Sequence, residues 1–243
     1  MATASTCSSS PATTTGPGAA ARAACGLHEG LRLSRAEFER RSAKRPDLKK
    51  VELIDGIVRM PSAVRYAGHG KPHAAIVGWL VTYAVATPGV HVVDNATLRL
   101  AGDNDLQPDA AMLIDPGAGG QARVSADDYL EGAPELVAEV AVSSASRDLH
   151  DKLRLYERNG VRDYLVCCVP DRRLDWFELV QGAYRARAAD AAGVVRSAVF
   201  PGLWLNVGAI LSDDPAAVLQ TLHEGLADPS HAAFLSGLRS RRS

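Results

Sequence analysis

The chain has 243 residues, which is enough for one sizeable domain and few for two. Its formal charge of −1 gives no bulk electrostatic support for nucleic-acid binding, although a local basic face would suffice for it. No apolar run approaches the ~18 residues that a membrane span needs. We therefore expect no contact with a membrane. The four cysteines show no disulfide framework, which is typical of a protein of the reducing cytoplasm.

The two ends of the chain differ in composition from its middle. Residues 1–28 are mostly Ala, Ser, Thr, Pro and Gly without periodicity, which predicts a disordered tail. Residues 29–211 hold the periodic apolar segments and are predicted to form one domain. Residues 212–243 are polar with helical patches, so we expect a partly helical C-terminal tail.

The domain opens with a helix and a hairpin. Ser34 and Glu37 have the spacing of a capping box, which predicts a short helix from there to about Arg45. Apolar residues alternate from Val51 to Met60 on both sides of an Asp-Gly pair, a pattern that indicates a β-hairpin. Residues 73–86 then have the apolar spacing of a helix packed on a sheet, and β segments follow at 90–93 and 97–100.

Two short strands in the middle of the chain carry acids. Residues 110–114 read as a buried strand with Asp109 at its beginning. Residues 134–143 form an apolar run with β-branched residues, typical of a strand buried on both faces, yet Glu139 stands in its middle. Burying a lone carboxylate costs several kcal/mol or more unless it is paired, hydrogen-bonded or bound to a metal. Glu139 is therefore expected to have a partner.

The remaining elements complete an α/β pattern. Residues 146–156 read as a helix that ends at an Asn-Gly pair. Strands are predicted at 164–169, 174–179 and 183–188, the last two joined by a turn. This order predicts a mixed central sheet flanked by helices, preceded by the N-terminal hairpin. The common phosphate-loop, dinucleotide, zinc-protease and serine-hydrolase motifs do not occur in the sequence.

In the absence of those motifs, the acidic residues of the predicted strands indicate a metal site. If the two central strands are neighbours, Asp109 and Glu139 converge at one edge of the sheet, and Glu52 lies on the hairpin. Two or three convergent carboxylates form a hard oxygen site that suits Mg²⁺ or Mn²⁺. Such an ion activates water and stabilises charge on a phosphoryl group, and a nearby lysine would assist it.

Eight short motifs follow one another along the chain. They are Glu52-Leu-Ile-Asp-Gly56, Met60-Pro61, His73-x-x-Ile76, Pro108-Asp109, Glu139-x-x-x-Ser143, Asp148-x-x-x-Lys152-x-x-x-Tyr156, Gly160-Val161-x-Asp163-Tyr164 and Phe200-Pro-Gly-Leu203. In this order they resemble the Uma family, a group described as restriction endonucleases and assigned to the PD-(D/E)XK nuclease superfamily. The resemblance covers roughly Leu31 to Leu211 and implies a restriction-endonuclease-like fold, a divalent metal and phosphodiester hydrolysis, with DNA as the substrate.

The resemblance also implies roles, with one departure. Asp109 and Glu139 would hold the metal with help from Glu52. The superfamily's usual lysine stands two residues after the glutamate, and this chain has Ala141 there. The resemblance instead offers Lys152, from the following helix, to steady the attacking water or the scissile phosphate.

Other residues are open to two interpretations. His73, Ser143 and Asp148 are candidate substrate contacts. Asp148 also stands four residues before Lys152, the spacing of an ordinary surface ion pair on a helix. His69 and His73 have metal-like spacing, but the intervening Pro72 and the lack of a clear third ligand make zinc a poor interpretation.

Two further expectations concern function and assembly. The alternatives to a nuclease are a nucleic-acid-binding or scaffold protein that keeps the fold without cleaving, and a hydrolase of another phosphate ester. Trp176 and Phe177 are adjacent on one predicted strand, so they face opposite sides of the sheet. One of them is expected outside the core as a self-association surface. Restriction-type nucleases often pair so that two sites can meet two strands, so the resemblance implies a homodimer.

Overall fold

The fold is taken from a computed structural model that describes residues 26–60, 64–141 and 147–242, without the side chains of residues 147–149. Most of the predicted disordered tail lies outside the described residues. Leu27 is described, and it is buried in a small apolar cluster with Phe38 and Val51. Ordered packing therefore begins slightly before the predicted boundary at residue 29.

The helices form largely where the sequence predicts them. The capping residue Ser34 accepts a hydrogen bond at its Oγ from the Glu37 main-chain N–H, at 3.4 Å, so the predicted N-terminus of the first helix is confirmed. A single π turn, Tyr66–Gly70, precedes the second helix. The helices are α1 (Arg35–Ser42), α2 (Lys71–Ala86), α3 (Arg147–Asn159), α4 (Val207–Leu211), α5 (Pro215–Leu226) and α6 (Pro229–Arg242).

The predicted hairpin is confirmed as strands β1 (Glu52–Ile54) and β2 (Ile57–Arg59). Asp55 and Gly56 both have positive φ, 50° and 73°, as a tight hairpin turn requires. The hairpin belongs to a sheet of short strands, called the smaller sheet, whose other strands are β4 (Leu98–Leu100), β5 (Asn104–Leu106), β7 (Arg123–Val124) and β8 (Leu130–Glu131). The strand order is β2-β1-β5-β4-β8-β7, so the hairpin lies at one end of the smaller sheet.

The central sheet has six strands, which are β3 (Val90–Asp94), β6 (Ala110–Ile114), β9 (Leu136–Ala141), β10 (Asp163–Cys168), β11 (Arg173–Val180) and β12 (Ala183–Ala186). Their order across the sheet is β12-β11-β10-β9-β6-β3. The sheet is mixed, because β9 runs parallel to β10 and antiparallel to β6. The predicted mixed sheet with flanking helices is confirmed. Outside this sheet, β13 (Val194–Arg196) pairs with β14 (Trp204–Asn206).

Alternate residues of β9 and β10 enter two separate apolar cores, one on each face of the sheet. The core on the side of α2, called the α2 core, contains Trp79 and Tyr83 of α2 together with Ala138 of β9. The α3 core contains Leu155 and Tyr156 of α3. Because both faces are covered, the central strands are continuously buried, as the sequence predicts for this stretch.

The C-terminal segment extends the packed region beyond the predicted boundary at residue 211. Val218 and Leu222 of α5 and Leu238 of α6 are buried in the α2 core. At Gly225 a Cβ atom would lie 2.3 Å from the main-chain oxygen of Gly202, so the two backbones touch there. Only part of the face that α5 buries is apolar, which is why the sequence of this segment reads as a polar tail.

The expected self-association surface at Trp176 and Phe177 is not found. Trp176 is 1% exposed and belongs to the α2 core. Phe177 is partly buried and stacks with Tyr164 in the α3 core, at 6.2 Å between ring centroids. The two residues do face opposite sides, but a core lies on each side. No described helix is long and apolar enough to cross a membrane.

Candidate active site

Asp109 and Glu139 are brought together by two neighbouring strands. Strands β6 and β9 are antiparallel with Ala110 opposite Ala138, so the next position of the same register sets Asp109 opposite Glu139. Residues directly opposite each other have Cβ atoms about 4.5–5.5 Å apart on one face of a sheet. Both acids are buried, at 2% and 7% exposure. The expected adjacency of the two strands is confirmed.

Lys152 of α3 joins this pair to the hairpin. Its Nζ lies 2.9 Å from Glu139 Oε1 and 3.0 Å from Glu52 Oε1. The Tyr156 hydroxyl, one turn further along α3, donates to the same Glu139 oxygen at 3.1 Å. Glu52 Oε1 also accepts from the Gln107 main-chain N–H at 2.9 Å. One ammonium therefore connects the central sheet, the smaller sheet and a helix.

The charges of this cluster support one another. Burial raises the pKa of Glu139; Lys152 opposes this shift, while the nearby Asp109 and Glu52 add to it. Burial alone would lower the pKa of Lys152, but Glu139 and Glu52 outweigh it and raise that pKa above its usual value. Lys152 is thus a firmly charged ammonium that is shared by two acids, Glu139 and Glu52.

Asp109 has its own set of partners. The Lys50 ammonium pairs with Oδ1, His69 Nε2 lies 3.1 Å from Oδ2, and the Val140 main-chain N–H donates to Oδ2 at 2.8 Å. Burial raises the pKa of this carboxyl, but the His69 hydrogen bond and the Lys50 charge outweigh it and hold the pKa well below its usual range. Asp109 is therefore ionised near neutral pH.

The three predicted substrate contacts are placed differently. His73 Nε2 lies 2.9 Å from the main-chain oxygen of Asp109 and 3.0 Å from Asp94 Oδ1, so the ring contacts the strand that carries the acid. Ser143 lies outside the described residues, and Asp148 is described only as part of the backbone of α3. All three roles stay predictions. Lys152 is only 9% exposed, which does not fit an ordinary surface ion pair.

The sequence interpretation missed the partners of Asp109. Lys50 precedes the hairpin and has no sequence pattern that links it to residue 109, which is 59 positions away. His69 stands out in the sequence only by its metal-like spacing from His73, and that pattern does not indicate a contact with Asp109. Among the described residues no group of three or more His, Cys, Asp or Glu side chains is arranged to hold a metal. A metal at this site would therefore rest on the Asp109–Glu139 pair, completed by water or substrate oxygens.

The mixed sheet with flanking helices defines the class, an α/β protein. Residues 35–208, more than half of the chain, match the model of the Uma2 family, described as "Putative restriction endonuclease". The chain therefore belongs to the Uma2 family, and the resemblance found in the sequence is confirmed.

The fold of the chain is also similar to that of a solved structure. A crystal structure from Anabaena variabilis, described as "a putative nuclease belonging to DUF820", matches with a TM-score of 0.56 and 12% sequence identity, over 74% of this chain and 98% of that one. At this identity the match concerns the fold alone. No curated protein matches the chain.

Proposed function

We propose that this protein is a metal-dependent endonuclease that hydrolyses phosphodiester bonds in DNA. The observation that carries the proposal is the buried position of Asp109 and Glu139 on adjoining strands, with Lys152 in contact with Glu139. A buried ion pair contributes little to stability, and well-packed apolar residues often replace such a pair without loss. Scaffolding alone therefore gives no reason for these charges, while a reaction at a phosphate does.

The donor set fits a hard divalent cation. Lys152 and Tyr156 both contact Oε1 of Glu139, and among the described residues no donor contacts Oε2, which leaves that oxygen for an ion. Asp109 is ionised and lies opposite; its Oδ1 pairs with the Lys50 ammonium, which an ion held there would displace. Asp109 and Glu139 would hold Mg²⁺ or Mn²⁺, with Glu52 as a further nearby acid. When bound, the ion lowers the pKa of water and offsets charge on the phosphoryl oxygens.

The other residues orient and charge the site. Glu52 holds Lys152 from the side of the hairpin, and Tyr156 fixes the carboxylate of Glu139 by a hydrogen bond. The Lys152 ammonium is thereby positioned to donate to the attacking water or to a phosphate oxygen, and such fixed donors act strongly in a dry site. Lys50 and His69 keep Asp109 ionised.

The position of Lys152 also explains how the site tolerates Ala141. Lys152 lies 13 residues beyond Glu139, yet its Nζ contacts the Glu139 carboxylate, because α3 packs directly against the face of the sheet that carries this acid. A lysine on the strand two residues after the glutamate is therefore not required to place an ammonium there. This geometry favours an enzyme over a non-cleaving nucleic-acid-binding or scaffold protein. Over a hydrolase of another phosphate ester, the endonuclease is favoured by the family match and not by the geometry.

A crystal soaked in Mn²⁺ tests the metal directly. We expect an anomalous difference peak between the carboxylates of Asp109 and Glu139. The matched soak of Glu139→Gln, which keeps the shape of the side chain, should lack the peak. A peak elsewhere, or none in the wild-type protein, would contradict the metal site.

Assembly and location are proposed on family grounds. We expect a cytoplasmic homodimer, because two copies of a restriction-type site can meet the two strands of a duplex. The surface for this dimer is not at Trp176 or Phe177, since both residues pack into the cores. Light scattering at high micromolar concentration should give twice the mass of one chain, and the mass of a single chain would remove the homodimer.

A further inference from the structure

The segment that leads into α2 exposes an unusual pair of side chains. Arg65 and Tyr66 stand at the beginning of the π turn, and Tyr66 is 79% exposed, so its ring takes no part in either core. Single π turns are rare and occur frequently at functional sites. An aromatic ring presented to solvent on such a turn is therefore a candidate contact for a ligand.

The same turn reaches the acid cluster. His69, three residues after Tyr66, contacts Asp109 through Nε2 at 3.1 Å. The main-chain N–H groups of His69 and Gly70 both donate to the carbonyl oxygen of Arg65 at 3.0 Å, which closes the turn. Tyr66 is thus held within one turn of a residue that contacts the proposed metal ligand.

The charge next to Tyr66 is available to a ligand. Arg65 is exposed, and within the described parts of the chain no carboxylate pairs with it. The neighbouring cation Lys71, by contrast, is paired with Asp213. An exposed arginine without a carboxylate partner in the described parts of the chain, followed directly by an exposed ring, matches two parts of a nucleic acid, the phosphate and the face of a base.

We propose that Arg65 and Tyr66 bind an unpaired stretch of the nucleic-acid substrate, with Tyr66 stacked on an exposed base and Arg65 on a backbone phosphate. In a duplex the neighbouring base pairs cover both faces of each base, so a side chain can stack only where the bases are unstacked. The inference rests on the proposed function for its link to cleavage. It goes further in naming the substrate, a nucleic acid with a single-stranded segment at the site.

Binding measurements test this without cleavage. Fluorescence anisotropy would follow the full chain with a labelled 12-nucleotide single strand and with the blunt duplex of the same sequence, both with Ca²⁺ in place of Mg²⁺. We expect tighter binding of the single strand. Tyr66→Ala should weaken that binding about 5- to 140-fold, which corresponds to ~1–3 kcal/mol for one base–aromatic stack. Tyr66→Phe, which keeps the ring, should bind like the wild type.

The matched control is Val85→Ala, because Val85 is also 79% exposed but lies near the far end of α2. It should bind both probes like the wild type. Equal losses in Tyr66→Ala and Val85→Ala, or a loss on the duplex as large as on the single strand, would overturn the proposal. Binding of neither probe by the wild type would overturn it as well.

Salt dependence separates the two contacts. Arg65→Ala should reduce the slope of log affinity against log salt concentration by about 0.7, the value for one phosphate contact on a single strand. Tyr66→Ala should leave the slope unchanged, since stacking releases no counterions. A changed slope in Tyr66→Ala would remove the stacking role. Single-strand binding that depends on Tyr66 without any cleavage would support this inference while the proposed function failed.

Discussion

Replacing Lys152 by methionine removes the ammonium from the acid cluster and keeps the length of the side chain. In the wild type the ammonium lies 2.9 Å from Glu139 and 3.0 Å from Glu52. Lys152→Met leaves these two buried carboxylates near each other without their shared cation. The variant therefore changes both the stability of the fold and the chemistry of the site.

The two effects have separate magnitudes. Removing one partner of a buried ion pair costs about 3–5 kcal/mol, a large part of the ~5–15 kcal/mol by which native proteins are stable. The pKa of Glu139 is already raised by burial and rises further without Lys152, so uptake of a proton limits the loss. If Lys152 stabilises the transition state, cleavage should fall about 10²- to 10³-fold.

The double variant Glu52→Gln/Lys152→Met separates stability from catalysis. It removes one acid along with the ammonium, so its denaturant midpoint should recover most of the loss seen in Lys152→Met. Its cleavage of DNA with Mg²⁺, measured under single-turnover conditions, should stay as low as in Lys152→Met. Lys152→Arg should rescue cleavage poorly, because the planar guanidinium does not fit the place of a compact ammonium. A folded double variant that cleaves within about threefold of the wild type would refute the role of Lys152.

Three further predictions concern other parts of the fold. Burial raises the pKa of Asp163 from 3.8 to about 6, so the free energy of unfolding should fall by about 3 kcal/mol as the pH rises between these two values. Asp163→Asn should flatten this part of the profile of unfolding free energy against pH. In denaturant titrations, Gly225→Ala should destabilise the fold by about 1–3 kcal/mol or more, because the added Cβ clashes with Gly202. The control Gly237→Ala, with open space around it, should stabilise α6 by up to about 1 kcal/mol. Equal effects of the two variants would contradict the close packing of α5. Burial raises the pKa of the Cys167 thiol to about 11, so mass spectrometry should find it unlabelled by a thiol reagent until the chain unfolds, and labelling of native protein would show that the strand opens.

Local chemistry made part of the structure predictable. The Asp-Gly pair at residues 55–56 determines its own turn, and Ser34 caps its own helix, so both elements follow from adjacent residues. Glu139 is conspicuous because a charge in an apolar run needs a partner. The structure supplies Lys152 and Tyr156 as its partners, at a spacing on α3 that the family resemblance had already singled out.

Long-range contacts account for what the sequence did not predict. Lys50 and His69 meet Asp109 only because the hairpin sheet and the π turn pack around the start of β6. The face that α5 buries combines Val218 and Leu222 with Thr221 and Gly225, so two of its four positions are not apolar and the pattern in the sequence is weak. Strand alternation correctly sets Trp176 and Phe177 on opposite faces, but it does not reveal that both faces are covered.

The most direct test of the central claim is cleavage by the wild type and by Glu139→Gln under identical conditions. We expect the wild-type protein to cut DNA with Mg²⁺ or Mn²⁺ and to stop when EDTA removes the metal. Glu139→Gln should fold, because its side chain has the same shape, and should lose cleavage. Cleavage that persists in Glu139→Gln, or a wild-type protein that cuts equally well in EDTA, would contradict the proposed metal-dependent site.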